Sequence, residues 1–199
     1  IVKSKADIVC LQEAQATLDD KDHIYSTLKK HYPYFKLMIK KAPGADYMVL
    51  LSKYPVLWQD TIPYGSSSNQ SVAYMLDIKG TNTLVVNNHF ESNGLSSGDK
   101  EGFKTLVKGE LKTGEAKRQS VHLITKLGDV SARRAPQAET VACYVKKYLD
   151  KKVPVILCGD FNDSPLSYTH RTIAKELNDC FVESGNGPGI SYHKSGMYF

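Results

Sequence analysis

The chain has 199 residues, of which 41% are hydrophobic and 24% charged, and its net charge is +5. This composition suits one globular domain with a real core. It excludes low-complexity chains, and no stretch approaches the roughly 20 apolar residues of a membrane span. Four scattered cysteines, Cys10, Cys143, Cys158 and Cys180, form neither a C-x-x-C zinc motif nor a disulfide framework. Cys10 and Cys158 lie within apolar runs, where a buried free thiol is expected.

In chain order, "ADIVCLQEAQ" (6–15) predicts a buried strand ending near Glu13. Residues 19–31 open with aspartate caps and place Ile24, Tyr25 and Leu28 at helical spacing. "YFKLMIKK" (34–41) predicts a strand, "APGAD" a turn, and "YMVLLSKYPV" (47–56) a second apolar strand stopped by Pro55. Residues 71–92 predict a hairpin around "KGTN", whose second arm runs through Leu84–Val86 into "NNHFES". Residues 93–112 predict irregular chain with a short helix at 99–108. Residues 115–150 predict helix, with a break near Arg134-Ala135-Pro136 because proline disfavours helix in the residue before it. A strand at 153–158, a helix at 167–175, and then a strand, a Gly/Pro loop and the start of another strand complete the chain. Apolar strands need cover on both faces, so two packed sheets with helices outside satisfy the pattern.

Three of these strands share one design: "IVCLQE" ends at Glu13, "LVVNNH" at His89, and "VILCGDFN" at Asp160 and Asn162. If the strands are neighbours, their ends converge on one rim. Glutamate, aspartate and asparagine are hard oxygen ligands suited to Mg²⁺ or Mn²⁺ rather than zinc. In an extended 160–162 segment, the two polar side chains would share one face. Each piece also has a structural reading: Gly-Asp-Phe-Asn as an Asx-turn, Glu13 as a capping carboxylate, and His89 as a surface histidine.

"DIVCLQE", "LLSKYPV", "VVNNHFES" and "CGDFNDSP", in that order, resemble the successive motifs of the endonuclease/exonuclease/phosphatase (DNase I-like) superfamily. The resemblance spans about Ala6 to Tyr192. It implies an α+β fold, a four-layer α/β/β/α sandwich incomplete at both ends, in a single domain over 1–199. It also implies hydrolysis of a phosphoester dependent on a divalent metal, Mg²⁺ or Mn²⁺. By position, Glu13 would be the metal ligand and His89 would stabilise the phosphate. Asp160 would orient or activate the attacking water, and Asn162 would hold a phosphate oxygen.

The family's first strand, with its asparagine, and its C-terminal aspartate and Asp-His motifs have no counterpart here, and His193 lacks the right context. The expectation is a fragment of a longer protein that is itself inactive or severely impaired.

The substrate is less constrained. Residues 99–152 carry 13 Lys/Arg against 7 Asp/Glu, a surplus of +6, which is either a solvated helical face or a contact for a phosphate-rich partner. Residues 93–134 read as an insertion or flap holding much of that surplus. Asn69, Asn87 and Arg134 are further candidates for binding substrate, with a plain polar turn the favoured reading of Asn69. A nucleic-acid phosphodiester is the leading expectation. A lipid- or inositol-directed enzyme of the same fold and a non-catalytic binding module are the alternatives. The residues select no compartment and no oligomeric state.

Overall fold

The computed structural model describes residues 1–14, 23–40, 46–66, 68–110, 112–187, 191, 193–194 and 197–198. After a short 3₁₀ turn at Val2–Ser4 come β1 (Ile8–Leu11), α1 (His23–His31), β2 (Tyr34–Lys40), β3 (Asp46–Ser52), β4 (Val56–Ile62), β5 (Ser71–Ile78) and β6 (Thr81–His89). These are followed by α2 (Ser97–Val107), α3 (Thr113–Leu149), β7 (Val155–Asp160), α4 (Tyr168–Ala174), α5 (Cys180–Ser184) and the two-residue strands β8 (His193–Lys194) and β9 (Met197–Tyr198). The strands form one sheet in the order β1-β3-β2, a second in the order β4-β5-β6-β7, and the small β8-β9 pair.

The layers follow from strand alternation. Val72, Tyr74 and Leu76 of β5 and Val85 of β6 face the first sheet and pack on Met48 and Leu50 of β3. Their neighbours Ala73, Met75, Leu84 and Val86 face the other way, under Ala138, Val141, Ala142 and Val145 of α3. The first sheet turns Val9, Leu11, Val49 and Leu51 outward onto Leu28 of α1 and Tyr32 just beyond it. The result is the expected helix–sheet–sheet–helix sandwich. The continuous apolar runs of β5 and β6 are explained because both faces of the second sheet are covered.

The predicted hairpin is present. Lys79 (φ +54°) and Gly80 (φ +85°) form its two-residue connection, and the Gly80 N–H donates to Asp77 Oδ1 at 2.6 Å. Positive φ at both central positions matches the twist of the flanking strands. The link from β6 to β7 is different. These strands pair in parallel, so the chain must cross over, and α2 and α3 make that crossing.

Several sequence expectations are corrected. The chain after Pro55 starts a further strand, β4, which the sequence pattern does not announce: "VLWQDTI" has no clean alternation, and a register irregularity between Val56 and Trp58 obscures its period. Helix α3 is continuous over 37 residues with Pro136 inside it. The local bias before proline is overridden because Arg134, Gln137, Ala138 and Val141 are all buried by tertiary contacts. The predicted strand near "DCFVES" is the short helix α5, capped by Asp179, whose Oδ1 accepts from the Phe181 N–H at 2.7 Å. The aspartate caps of α1 and most of the "APGAD" turn lie outside the described residues, and Asp46 opens β3. All four cysteines are free: Cys10 and Cys158 are half-buried, and Cys143 and Cys180 are exposed.

The basic segment 93–134 comprises α2 and the first part of α3. Ser96 and Asp99 form a reciprocal capping box at the start of α2. Asp99 then reaches α3, 2.6 Å from Lys126 Nζ and 2.8 Å from His122 Nε2. No helix among the described residues is long and apolar enough to cross a membrane.

Candidate active site

The antiparallel and parallel registers together bring distant residues to one end of the sandwich. Strands β6 and β7 run parallel, with His89 opposite Asp160 and Asn87 opposite Cys158. Strand β3 runs antiparallel to β1, with Val49 opposite Leu11, so the start of β3 lies beside the end of β1. Asn87 locks the sheets together: its Nδ2 donates to Leu11 O at 3.1 Å, and its Oδ1 accepts from Gln12 Nε2 at 2.5 Å. Two residues past the end of β1, where Glu13 has φ +50°, its carboxylate comes within 3.7 Å of His89 Nε2.

His89 is 3% exposed, so it is not a surface histidine. Its other ring nitrogen, Nδ1, lies 3.0 Å from Oδ1 of buried Asp46. Burial disfavours the imidazolium. The Asp46 carboxylate beside Nδ1, together with the charges of Asp160 and Glu13, outweighs that penalty and holds His89 above the ordinary histidine value. The backbone is fixed as well, since the His89 N–H donates to Gln70 O at 3.0 Å. The Gln70 amide in turn donates to Asp46 O at 3.1 Å.

Gly159 permits the close approach of β7 to β6. It has φ +144°, and a Cβ there would lie 2.0 Å from the Asn88 carbonyl oxygen. The next residue, Asp160, projects an exposed carboxylate. Phe161 turns into the core and meets Phe90 edge-on at 5.5 Å, which anchors the loop. The expected extended 160–162 geometry is corrected: Asn162 has φ +50°, and its N–H donates to Asp160 Oδ1 at 2.8 Å. The turn and the site are therefore the same feature. The Asn162 amide donates one of its two N–H groups to Phe90 O at 3.0 Å.

The remaining candidates divide. Asn87 is fully buried and joins the two sheets. Asn69 is 4% exposed and makes a local turn, its N–H donating to Ser66 Oγ at 3.0 Å and its Oδ1 accepting from Ser68 Oγ at 2.8 Å. Lys40 Nζ braces that turn by donating to Ser66 O at 2.5 Å and Asn69 O at 2.9 Å. Asn69 and Gln70 also line an open cleft of 360 Å³ with Lys40 and Tyr64, and neither Glu13 nor His89 is part of its lining. Arg134, expected among the basic surface residues, is 2% exposed and is occupied by the loops that follow β6 and β7.

Sequence reasoning missed Asp46, Gln70 and Gln137. The signal for Asp46 was an acid leading into an apolar run rather than ending one.

The donor set can be compared with the metal that the sequence suggested. Among the described residues, no group of three or more His, Cys, Asp or Glu side chains is disposed to hold an ion. Magnesium, by contrast, is often bound through one or two carboxylates, with water and substrate phosphate completing its shell. Glu13, with a side chain 76% exposed at the rim of the site, fits that role.

The same arrangement of sheets occurs in known structures. The human Nocturnin catalytic domain superimposes with a TM-score of 0.58 at 18% identity, covering 87% of this chain and 58% of that one. Sphingomyelinase C from Streptomyces griseocarneus gives 0.52 at 20% identity, with coverages of 85% and 56%. A β-hairpin deletion mutant of beta toxin from Staphylococcus aureus gives 0.53 at 20%, with coverages of 86% and 59%. This chain thus spans less than two thirds of each of these structures, and the likeness is one of fold. No curated protein matches the sequence. Residues 1–197 match the Endonuclease/Exonuclease/phosphatase family, and the chain belongs to that family.

Proposed function

We propose that this chain carries the core of a metal-dependent phosphodiesterase site whose substrate is nucleic acid. The observation that carries the reading is His89, buried between Asp46 and Glu13 with Asp160 beside it across the β6–β7 pair. A buried imidazole whose carboxylate neighbours favour its protonated form is a poised donor to a phosphate oxygen. Nδ1 faces Asp46, so Nε2 is left to address the substrate. Asp160, exposed at the strand end, orients the attacking water and takes its proton as the new P–O bond forms and the P–O bond to the opposite ester oxygen breaks, the departing alkoxide taking a proton from solvent. The second N–H of the Asn162 amide holds a non-bridging oxygen and fixes the in-line direction. Glu13 would hold Mg²⁺ or Mn²⁺, which supplies Lewis-acid stabilisation of the phosphoryl oxygens when bound.

The exposed basic residues on α3 and before it, Lys108, Lys112, Lys117, Arg118 and Arg133, support a polyphosphate partner over a small neutral one. The test is hydrolysis by the full-length protein, with Mg²⁺, of oligonucleotides, sphingomyelin and inositol phosphates. The expected result is oligonucleotide cleavage that falls by about 10²-fold or more in Asp160→Asn. Cleavage confined to the lipid or the inositol phosphate, or no cleavage of any substrate, overturns the reading.

A further inference from the structure

One turn of α3 reaches three separate loops of the site. From Arg134, Nη1 donates to the carbonyl of Asn162, to Asn93 Oδ1 at 2.8 Å and to Glu91 O at 3.2 Å, while Nε lies 3.3 Å from Asp163 Oδ2. From Gln137, one turn on, Oε1 accepts the Glu91 N–H at 3.0 Å, and Nε2 donates to Gly65 O at 3.3 Å and Glu91 Oε2 at 3.4 Å. Ser66 Oγ closes the ring on Glu91 Oε2 at 2.7 Å. The loop before β5, the loop after β6 and the loop after β7 are thereby tied to a single helical turn. Both side chains are buried, and Arg134 is the largest fully buried side chain described.

A buried guanidinium needs a compelling set of partners. A simple structural anchor would be met by an apolar residue of similar volume, often without loss of stability. Here the partners are backbone carbonyls and side chains within four residues of His89 or Asp160. The planar fork imposes fixed directions on them. Asn162 sits in the left-handed region, φ +50°, a conformation that must be held by its surroundings.

We propose that Arg134 is a positioning residue: through the carbonyl of Asn162 and the carboxylate of Asp163 it sets the geometry of the loop after β7 against the His89 loop, with Gln137 fixing the third side. Arg134 touches no substrate in this role: it is 2% exposed, and the loops after β6 and β7 take up its Nη1. The proposal rests on the phosphodiesterase reading only for its kinetic arm.

Amide hydrogen exchange provides the test. In Arg134→Met and Arg134→Lys, the N–H of Asn162 should exchange at least 10-fold faster, while the β5 and β6 amides keep their protection. In the active full-length protein, the same variants should lower kcat by 10-fold or more with KM within about 3-fold, and guanidinium ion should restore part of kcat to Arg134→Met. If Arg134→Met does not fold, Arg134→Lys, which keeps the charge and the stem, carries the comparison. Unchanged Asn162 exchange in a folded variant overturns the proposal, as does a kcat loss that only tracks the unfolded fraction. A wild-type protein that hydrolyses nothing would sink the phosphodiesterase reading alone, because the exchange result stands without it.

Discussion

His89 combines two opposing demands. It is buried, which disfavours charge, and it faces carboxylates, which favour it; the carboxylates prevail. Replacing Asp46 with Asn should therefore lower the His89 pKa, measurable by following the imidazole carbon-bound protons by NMR across pH. The sign for stability follows from linkage. A raised folded-state pKa contributes stability that is complete below the unfolded value of about 6.5 and is lost as pH rises through the raised value. The melting temperature of the wild type should thus fall more steeply than that of His89→Gln as pH rises from about 6.5 through the raised value. Parallel curves for the two proteins would contradict the charged pair. At this scale, Glu13, His89 and Asp160 were legible because each ends an apolar strand. Asp46 was not, because an antiparallel neighbour delivers its first residue to the same rim, and a residue that opens a strand after a Gly/Pro stretch reads as part of a turn. Arg134 was visible only as one of many basic residues. Its burial depends on which face of α3 meets the sheet.

Elements show where local preference and tertiary context disagree. Pro136 lies in the middle of α3, where it removes one backbone donor and would ordinarily cost about 3 kcal/mol relative to alanine. Pro136→Ala should accordingly raise stability, by about 1–3 kcal/mol in urea unfolding, unless the proline shapes the Arg134 turn; a loss of stability would reveal that second role. Gly159 is the opposite case. Its positive φ and the 2.0 Å approach of the Asn88 carbonyl to a Cβ position leave no room, and Gly159→Ala should destabilise by about 3 kcal/mol or more, again read by urea unfolding. A change below about 1 kcal/mol would mean that β7 can move away from β6. The hairpin and the apolar strands were readable because period and turn chemistry agree. Strand β4 and helix α5 were not: the first lacks alternation, and the second is decided by the Asp179 cap rather than by its apolar residues.

For the whole molecule, the two-sheet sandwich was legible because three runs of apolar strand demanded cover on both faces, and the order of motifs matched one family. What sequence could not supply is the stacking angle and register that bring β1, β3, β6 and β7 to one mouth, since these depend on contacts such as Asn87 to Leu11 across 76 positions. The most direct test of that convergence is paramagnetic broadening by Mn²⁺ in the amide NMR spectrum. At the lowest effective concentration, signals of Gln12, Glu13, His89, Phe90, Asp160 and Phe161 should be lost together, and Glu13→Gln should require at least tenfold more metal for the same loss. Broadening centred away from these strand ends, or unchanged by Glu13→Gln, would contradict a single cation-gripping site built from them.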